Sequence, residues 1–354
     1  MPLIYFGVYM SVKKQINKCE NCGSGILFDV DSQSLKCSHC GSLFPIPAPR
    51  KENAKYKYTN ESVPLSAKED FSQFKCNNCN SLCVSGFMDE SQLRCPSCGS
   101  SNLSKTVSVN YEPDGIFPFK VKKETALQNF KGWLKKRKMA PFNLRKIATL
   151  DKIVGTYCPC WNLDFKDTFS YSCTGVKETK HKNGQTSTSK TRLSDTITRS
   201  HYDYLQSANS TISAYDIRNT GSVNFEELKA YSPSYMYGFT GLISDQTIHR
   251  AINITKDEIS SQNEKEIKNQ LNLKYDRLEN FRSSTSLFDT YYNNIYLPIW
   301  LINYKYKKKF YRCYINGVNG QASGNAPVSG FKIFLIILLV LGFIGLIIWL
   351  SKFN

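Results

Sequence analysis

Thirteen cysteines are present, and eight of them stand in Cys-x-x-Cys pairs with the spacing of metal sites. Cys19 and Cys22 are followed after 14 residues by Cys37 and Cys40, and Cys76 and Cys79 are followed after 15 residues by Cys95 and Cys98. Each pair sets two sulfurs on one side of a tight turn, and two such turns close the tetrahedron that Zn2+ accepts at about 2.3 Å. Glycine follows the second cysteine at Gly23, Gly41 and Gly99, where the chain must turn through positive φ. Asn80, which tolerates that conformation, takes the fourth place. Four thiolates leave no coordination position for an activated water, so two structural zinc ions are expected. Modules this small cannot fold on burial alone and should melt without them. Cys83 and His39 lie nearby and read as a buried thiol and a solvent-facing imidazole.

Other residues that could do chemistry lack partners. Cys158 and Cys160 flank Pro159 as a redox pair or half a metal site would. Beyond Cys83 the remaining thiols are Cys173 and Cys313, too scattered to complete a ligand set, so buried strand cysteines are expected. Asp216 to Glu227 (DIRNTGSVNFEE) imitates a calcium loop, with Gly221 sixth and Glu227 twelfth. Arg218 and Thr220, at the third and fifth positions, remove two oxygen ligands and put a cation where calcium would sit, which leaves an ordinary turn before a helix. His39, His181, His201 and His249 show no spacing to a serine, cysteine or carboxylate that suggests a nucleophile with its base. No catalytic or cofactor-binding residue is assigned, no small-molecule substrate is evident, and the chain reads as no enzyme.

From Lys120 to Lys146 ten basic residues face one acidic residue, Glu124. Ala126, Leu127, Phe130, Trp133 and Leu134 recur at helical spacing, while Lys131, Lys135, Lys136, Arg137 and Lys138 fall mostly on the other face. Exposed aromatics could stack bases while lysines neutralise phosphate, but this spacing buries them and leaves a solvated basic face.

The elements that carry these residues divide the chain. Residues 1–14 form an N-terminal extension whose apolar start, MPLIYFGVYM, lacks the basic n-region of a signal peptide, and Met10 opens a more ordinary start. Residues 15–46 are a first zinc ribbon, 47–71 a linker with several prolines and lysines, and 72–106 a second ribbon, each read as independent. Ile333 to Leu350 is an uncharged run of 18 residues, about 27 Å as a helix, so 333–350 is expected to cross a membrane in a tail-anchored layout. Lys332, Lys352 and Trp349 bracket it as interfacial anchors, and Gly317 to Gly330 reads as a flexible tether.

An internal repeat organises the middle. Tyr157-Cys-Pro-Cys-Trp161 matches Tyr296-Leu-Pro-Ile-Trp300 at an offset of 139, and each copy continues into a second alternating run, to Gly175 and to Gly317. Each copy therefore reads as a β-hairpin preceded by a helix, the second helix from about Lys256 to Leu278. The expected fold class is α+β: two small four-cysteine zinc ribbons, two related lobes of antiparallel sheet plus helix at 112–232 and 235–325, and one C-terminal transmembrane helix. Residues 177–200, polar and without an apolar stripe, suit a long mobile loop.

PDGIFPFKVKKETALQNFKGWL, YCPCWNLDF and LPIWLINYKYKKKFYRCYINGVNGQASGNAPVS, placed after two ribbons, resemble a bacterial family of membrane-anchored zinc-ribbon proteins. Its members are labelled transcription-factor-type zinc ribbon or primosomal helicase-like. The resemblance covers nearly the whole chain and implies a zinc-ribbon membrane protein without a defined activity. The helicase-like label rests on the zinc knuckles, and no phosphate-cradling G-x-x-x-x-G-K-[ST] occurs here. Cys158 and Cys160 depart from the family pattern, in which aliphatic or aromatic residues are usual at these places.

The formal charge of +17 falls to about +13 once eight thiolates and two Zn2+ are counted, and the chain stays basic. Acidic lipid headgroups beside a bilayer anchor suit that surplus; nucleic acid is a less favoured partner. Cysteines arranged for metal imply reduced thiols, so the bulk of the chain is expected on the cytoplasmic side of the cytoplasmic membrane. The resulting expectation is a membrane-anchored protein whose ribbons and basic lobes bind a macromolecule, protein or anionic surface, and hold it there. A nucleic-acid-binding module and an unrecognised enzyme using the cleft of the lobes are the alternatives.

Overall fold

The computed structural model describes residues 18–47, 49, 52–59, 72–85, 93–106, 113–144, 149–181 and 185–351. The 1–14 extension lies outside them. Residues 18–46 form a small antiparallel sheet, β1 (Ile26–Asp29), β2 (Ser34–Cys37) and β3 (Leu43–Phe44). After β4 (Tyr56–Lys57), a second ribbon holds β5 (Gln73–Cys76), β6 (Leu82–Ser85) and β7 (Leu103–Thr106). The body follows with β8 (Gly115–Ile116), α1 (Lys123–Lys135), β9 (Thr149–Lys180), β10 (Thr186–Ser207), α2 (Ala214–Arg218), β11 (Lys229–Ala230) and β12 (Thr240–Leu242). It ends with α3 (Ile248–Asn272), β13 (Arg277–Tyr306), β14 (Lys309–Asn316), β15 (Ala322–Gly324) and α4 (Gly330–Ser351). The architecture is α+β, with two four-cysteine clusters toward the N-terminus and one apolar C-terminal helix.

β9 and β13 are the spine. They run antiparallel along nearly their whole length, from Val176 opposite Arg277 to Thr149 opposite Lys305. Because side chains alternate, Tyr157 and Trp161 share one face with Tyr292 and Tyr296, while Cys158 and Cys160 share the other with Ile295, Leu297 and Ile299. All of these are buried, so both faces are covered in this stretch. The matching Tyr-x-Pro-x-Trp runs meet here: Pro298 lies opposite Tyr157 and Tyr296 opposite Pro159, which makes the repeat a pair of neighbouring strands in one sheet. The two expected lobes thus share this sheet, and each repeat strand is preceded by a helix, α1 or α3.

Three features depart from the sequence reading. No turn occurs at Gly175, which lies inside β9; a Cβ there would sit 2.6 Å from the Tyr275 ring, so the glycine permits a close approach. The expected mobile loop at 177–200 is mostly the β9–β10 hairpin, whose threonines and Ile197 favour strand; it shows no apolar stripe because that end of the hairpin is largely exposed. Neither 47–71 nor 317–330 is a free linker throughout. β4 pairs with β13, the Lys55 ammonium is bonded between the carboxylates of Asp164 and Asp203 (2.7 Å to Asp203), and β15 pairs with β14. Asn53 donates to Asp203 (2.8 Å) and accepts from Asn162 and Asn293, so residues 52–59 form a strap stitched to the sheet.

Three of the four register shifts along the spine and its hairpin coincide with a non-glycine residue at positive φ: Asp203 (52°), Asn280 (54°) and Asp289 (47°); the fourth, between Asn303 and Tyr304, does not. Asp and Asn tolerate this left-handed conformation better than other side chains, so these are bulges set by local chemistry. α3 lies over the hairpin with Ile252, Ile259 and Ile267 buried on one face and its N-terminus capped by Thr247. It is pinned by Asn263 donating to Asp167 (2.7 Å) and by Arg199 forking onto Glu266.

Asn280 is exposed, so replacing it isolates the backbone: Asn280→Val is expected to cost about 1–2 kcal/mol and Asn280→Gly almost nothing, compared by midpoints in denaturant titration. Lys55→Met leaves Asp164 and Asp203 without their cation and should release the strap, seen as faster limited proteolysis within 52–59. Burial pushes the Asp203 carboxyl up, but Lys55, Asn53 and Asn162 outweigh it and hold it below its usual value. That contribution is complete above the ordinary carboxylate range and is lost as pH falls through the depressed folded-state value, so acid should loosen the same strap.

Candidate metal centres

The four knuckles share one construction. In each, the residue after the second cysteine has positive φ, namely Gly23 (71°), Gly41 (75°), Asn80 (59°) and Gly99 (74°). Its amide donates to the carbonyl of the first cysteine at 2.8 to 3.1 Å, and the amide of that cysteine donates to the carbonyl of the next serine, Ser24, Ser42, Ser81 or Ser100, at 2.6 to 2.9 Å. Six residues, Cys-x-x-Cys-[Gly/Asn]-Ser, thus fold back on themselves with both sulfurs inward. The serine was legible in the sequence, where it recurs four times, but only the backbone bonds give it a reason.

Pairs of knuckles bring four sulfurs together. Cys19 to Cys40 is 3.5 Å and Cys22 to Cys37 is 3.4 Å; Cys76 to Cys98 is 3.5 Å and Cys79 to Cys95 is 3.6 Å. These spacings are far beyond a disulfide bond of about 2.05 Å and close to the edge of about 3.8 Å expected for sulfurs about 2.3 Å from one ion. Within each set of four, all sulfurs lie within 4.8 Å of one another, so each set can hold one metal ion. All eight cysteines singled out by spacing are therefore gathered as expected.

Local hydrogen bonds prepare thiols in each set, and in the first the amides of Cys40 and His39 lower Cys37 as well. The Ser42 hydroxyl and backbone amide bring Cys40 down to about 6. Burial raises Cys79, but the Ser81 hydroxyl and amide outweigh it and bring it to about 6. Cys83, at the floor of the second ribbon with Phe74 and Leu93, is pushed up to about 12 by burial. It is a core thiol, and His39 is exposed, as the sequence suggested.

Both ribbons are docked, which corrects the expectation of independence. The amide of Phe28 donates to Tyr237 (3.1 Å), its ring meets Tyr235 edge-on at 5.4 Å, and Gln33 donates to the Phe119 carbonyl (2.9 Å). In the second ribbon β6 pairs with β12, which itself runs parallel to β9, and Lys152 donates to the Gly99 carbonyl. A Cβ on Gly99 would meet the Lys152 side chain at 2.5 Å, so that glycine serves both the knuckle and the docking.

The remaining candidates resolve as structural groups. Cys158 and Cys160 are fully buried among Ile295, Leu297 and Leu205. In the calcium-like run, Asp216 lies within α2, whose cap Ser213 donates to its carboxylate (2.8 Å), and Arg218 pairs with Glu258 (2.9 Å). Phe130 and Trp133 are buried against Tyr304, so they cannot stack bases. His201 bonds to the buried Asp167 (2.7 Å) and stacks on Phe165, a couple that spacing did not reveal because it forms diagonally across two strands. It belongs to the network that pins α3.

No protein-family profile and no solved structure matches this chain. It is similar to the uncharacterized protein YdjG of Bacillus subtilis (strain 168), with 24% identity over 320 residues, covering 89% of this chain and 91% of the relative. An alignment of that extent leaves only about a tenth of either chain outside it.

The four tryptophans, Trp133, Trp161, Trp300 and Trp349, all lie outside the ribbons, so their fluorescence reports the body and the anchor alone. Since β6 is paired into the main sheet and Phe28 into its core, stripping metal with a chelator is expected to lower the thermal midpoint read by tryptophan as well as melting the ribbons. An unchanged tryptophan midpoint would mean that the ribbons are only tethered.

Proposed function

We propose that this protein is a non-enzymatic, membrane-anchored scaffold in which two structural zinc ions hold ribbons that, with the basic α+β body, bind a protein partner and keep it at the membrane. The observation that carries the reading is the combination of two closed four-sulfur sites with an apolar helix whose span Gly330–Ile347 is left unburied by the rest of the described residues. α4 is 22 residues long, and its window Gly330–Ile347 has a mean hydropathy of 2.7 and is entirely unburied. A helix apolar on every side is stable in hydrocarbon and costly in water. Four thiolates in tetrahedral array favour zinc over hard cations and leave no position for a substrate. None of the thirteen cysteines is in a disulfide, which supports a body on the cytoplasmic side of the membrane. The exposed Cys22 and Cys40 place the first knuckle pair at the surface, where a partner can read it.

Crosslinking and affinity capture of the tagged full chain from membranes tests this. Intact protein should carry a partner that Cys19→Ser plus Cys76→Ser loses, while both forms stay in the membrane pellet after an alkaline carbonate wash. Equal capture by both forms would remove the ribbons from the interface, and full-length protein in the soluble fraction would remove the anchor.

A further inference from the structure

We infer that the body has a second, peripheral membrane contact: a basic, aromatic-edged face around the root of α4 that takes anionic lipid headgroups and holds the body against the bilayer. The inference rests on α4 crossing the membrane as proposed above. Three segments meet at that root. The amide of Ser329 donates to the Met139 carbonyl (2.9 Å), the Lys332 ammonium donates to the Lys138 carbonyl (2.8 Å), and Tyr306 donates to Asn143 (2.9 Å). The loop after α1 and the β13–β14 turn are thereby fastened to the first turn of the membrane helix. With Ile333 opening the uncharged span, residues bonded to 329 and 332 sit at headgroup depth as a matter of geometry.

The chemistry of this face suits that depth. Residues 135–143, 305–312 and 325–333 carry ten basic side chains and no acidic one. Phe142 is 78% exposed and Phe310 is 65% exposed, although most large apolar side chains of the body are buried. The Lys332 ammonium stands 4.1 Å over the Phe142 ring and that of Lys305 stands 5.5 Å over Phe310, so each ring has a cation beside it. Aromatic rings paired with lysines match the interfacial layer, with the ring among glycerol and upper acyl groups and the ammonium on phosphate. Nucleic acid would be met by the same cations, but the distance to the bilayer favours lipid phosphate.

The test uses the full chain in nanodiscs of neutral phospholipid or with about 30% anionic phospholipid, with lysine acylation followed by mass spectrometry. Lys138, Lys307, Lys308 and Lys309 are expected to be acylated about fivefold more slowly in anionic discs, the protection fading at high salt, while Lys265 on α3 is unchanged. Phe142→Ser plus Phe310→Ser, at two exposed sites, should weaken the protection without unfolding the body. Equal rates in the two kinds of disc, protection already present in detergent, or equal protection by an oligonucleotide in neutral discs would each overturn the inference. Failure of the chain to enter discs would instead overturn the anchor on which it rests.

Discussion

Antiparallel pairing of β9 with β13 is the constraint on which the rest of the molecule depends. About a hundred residues of chain separate the two strands, so the closure entropy of a long loop must be offset by what the pairing buries. Tyr157, Trp161, Tyr296 and Trp300 supply that burial on one face, and the aliphatic run Ile295, Leu297, Ile299 supplies it on the other. The remaining strands of this sheet attach outward from the pair, directly or through a neighbouring strand. β10 and β12 add to β9, while β4, β8 and β14 add to β13. A sheet built this way is dominated by distant contacts and should assemble slowly compared with the knuckles, which close within six residues.

The two metal centres sit at the opposite extreme of locality. Each knuckle is complete in its own backbone bonds, and a metal ion held by the four sulfurs would supply the tertiary contact between two knuckles that a hydrophobic core would otherwise provide. Docking through Phe28 and through β6 then joins a metal-dependent module to a burial-dependent one. Metal occupancy and sheet stability would then be linked quantities, because β6, which follows directly on the Cys79 knuckle, is also the strand that pairs with β12.

Legibility in the sequence followed the range of the interaction. The eight ligands, their turn residues and the apolar helix were readable because spacing and composition are properties of short segments. The β13–β14 hairpin was readable for the same reason. Gly175 was misread because its explanation is the Tyr275 ring, a hundred residues away. The strap was misread because lysine and asparagine in a proline-bearing stretch resemble a solvated linker; only the carboxylates of Asp164 and Asp203 and the amides of Asn162 and Asn293 give Asn53 and Lys55 a place to go. The Asp and Asn residues at the bulges carried no sequence signal, since both are common in ordinary turns.

The spine also joins two places that lie far apart. From Leu150, opposite Tyr304 near the root of α4, to Val176, opposite Arg277, the contour of β9 is about 85 Å. Sliding one strand by a single residue would turn every side chain along that length to the wrong face, and the offsets at Asp203, Asn280 and Asp289 block such sliding mechanically. The two extremities are consequently phase-locked. A twist imposed at the Leu150 end would be carried to the Val176 end as a rotation of the whole strand pair, in the manner of a keyed shaft.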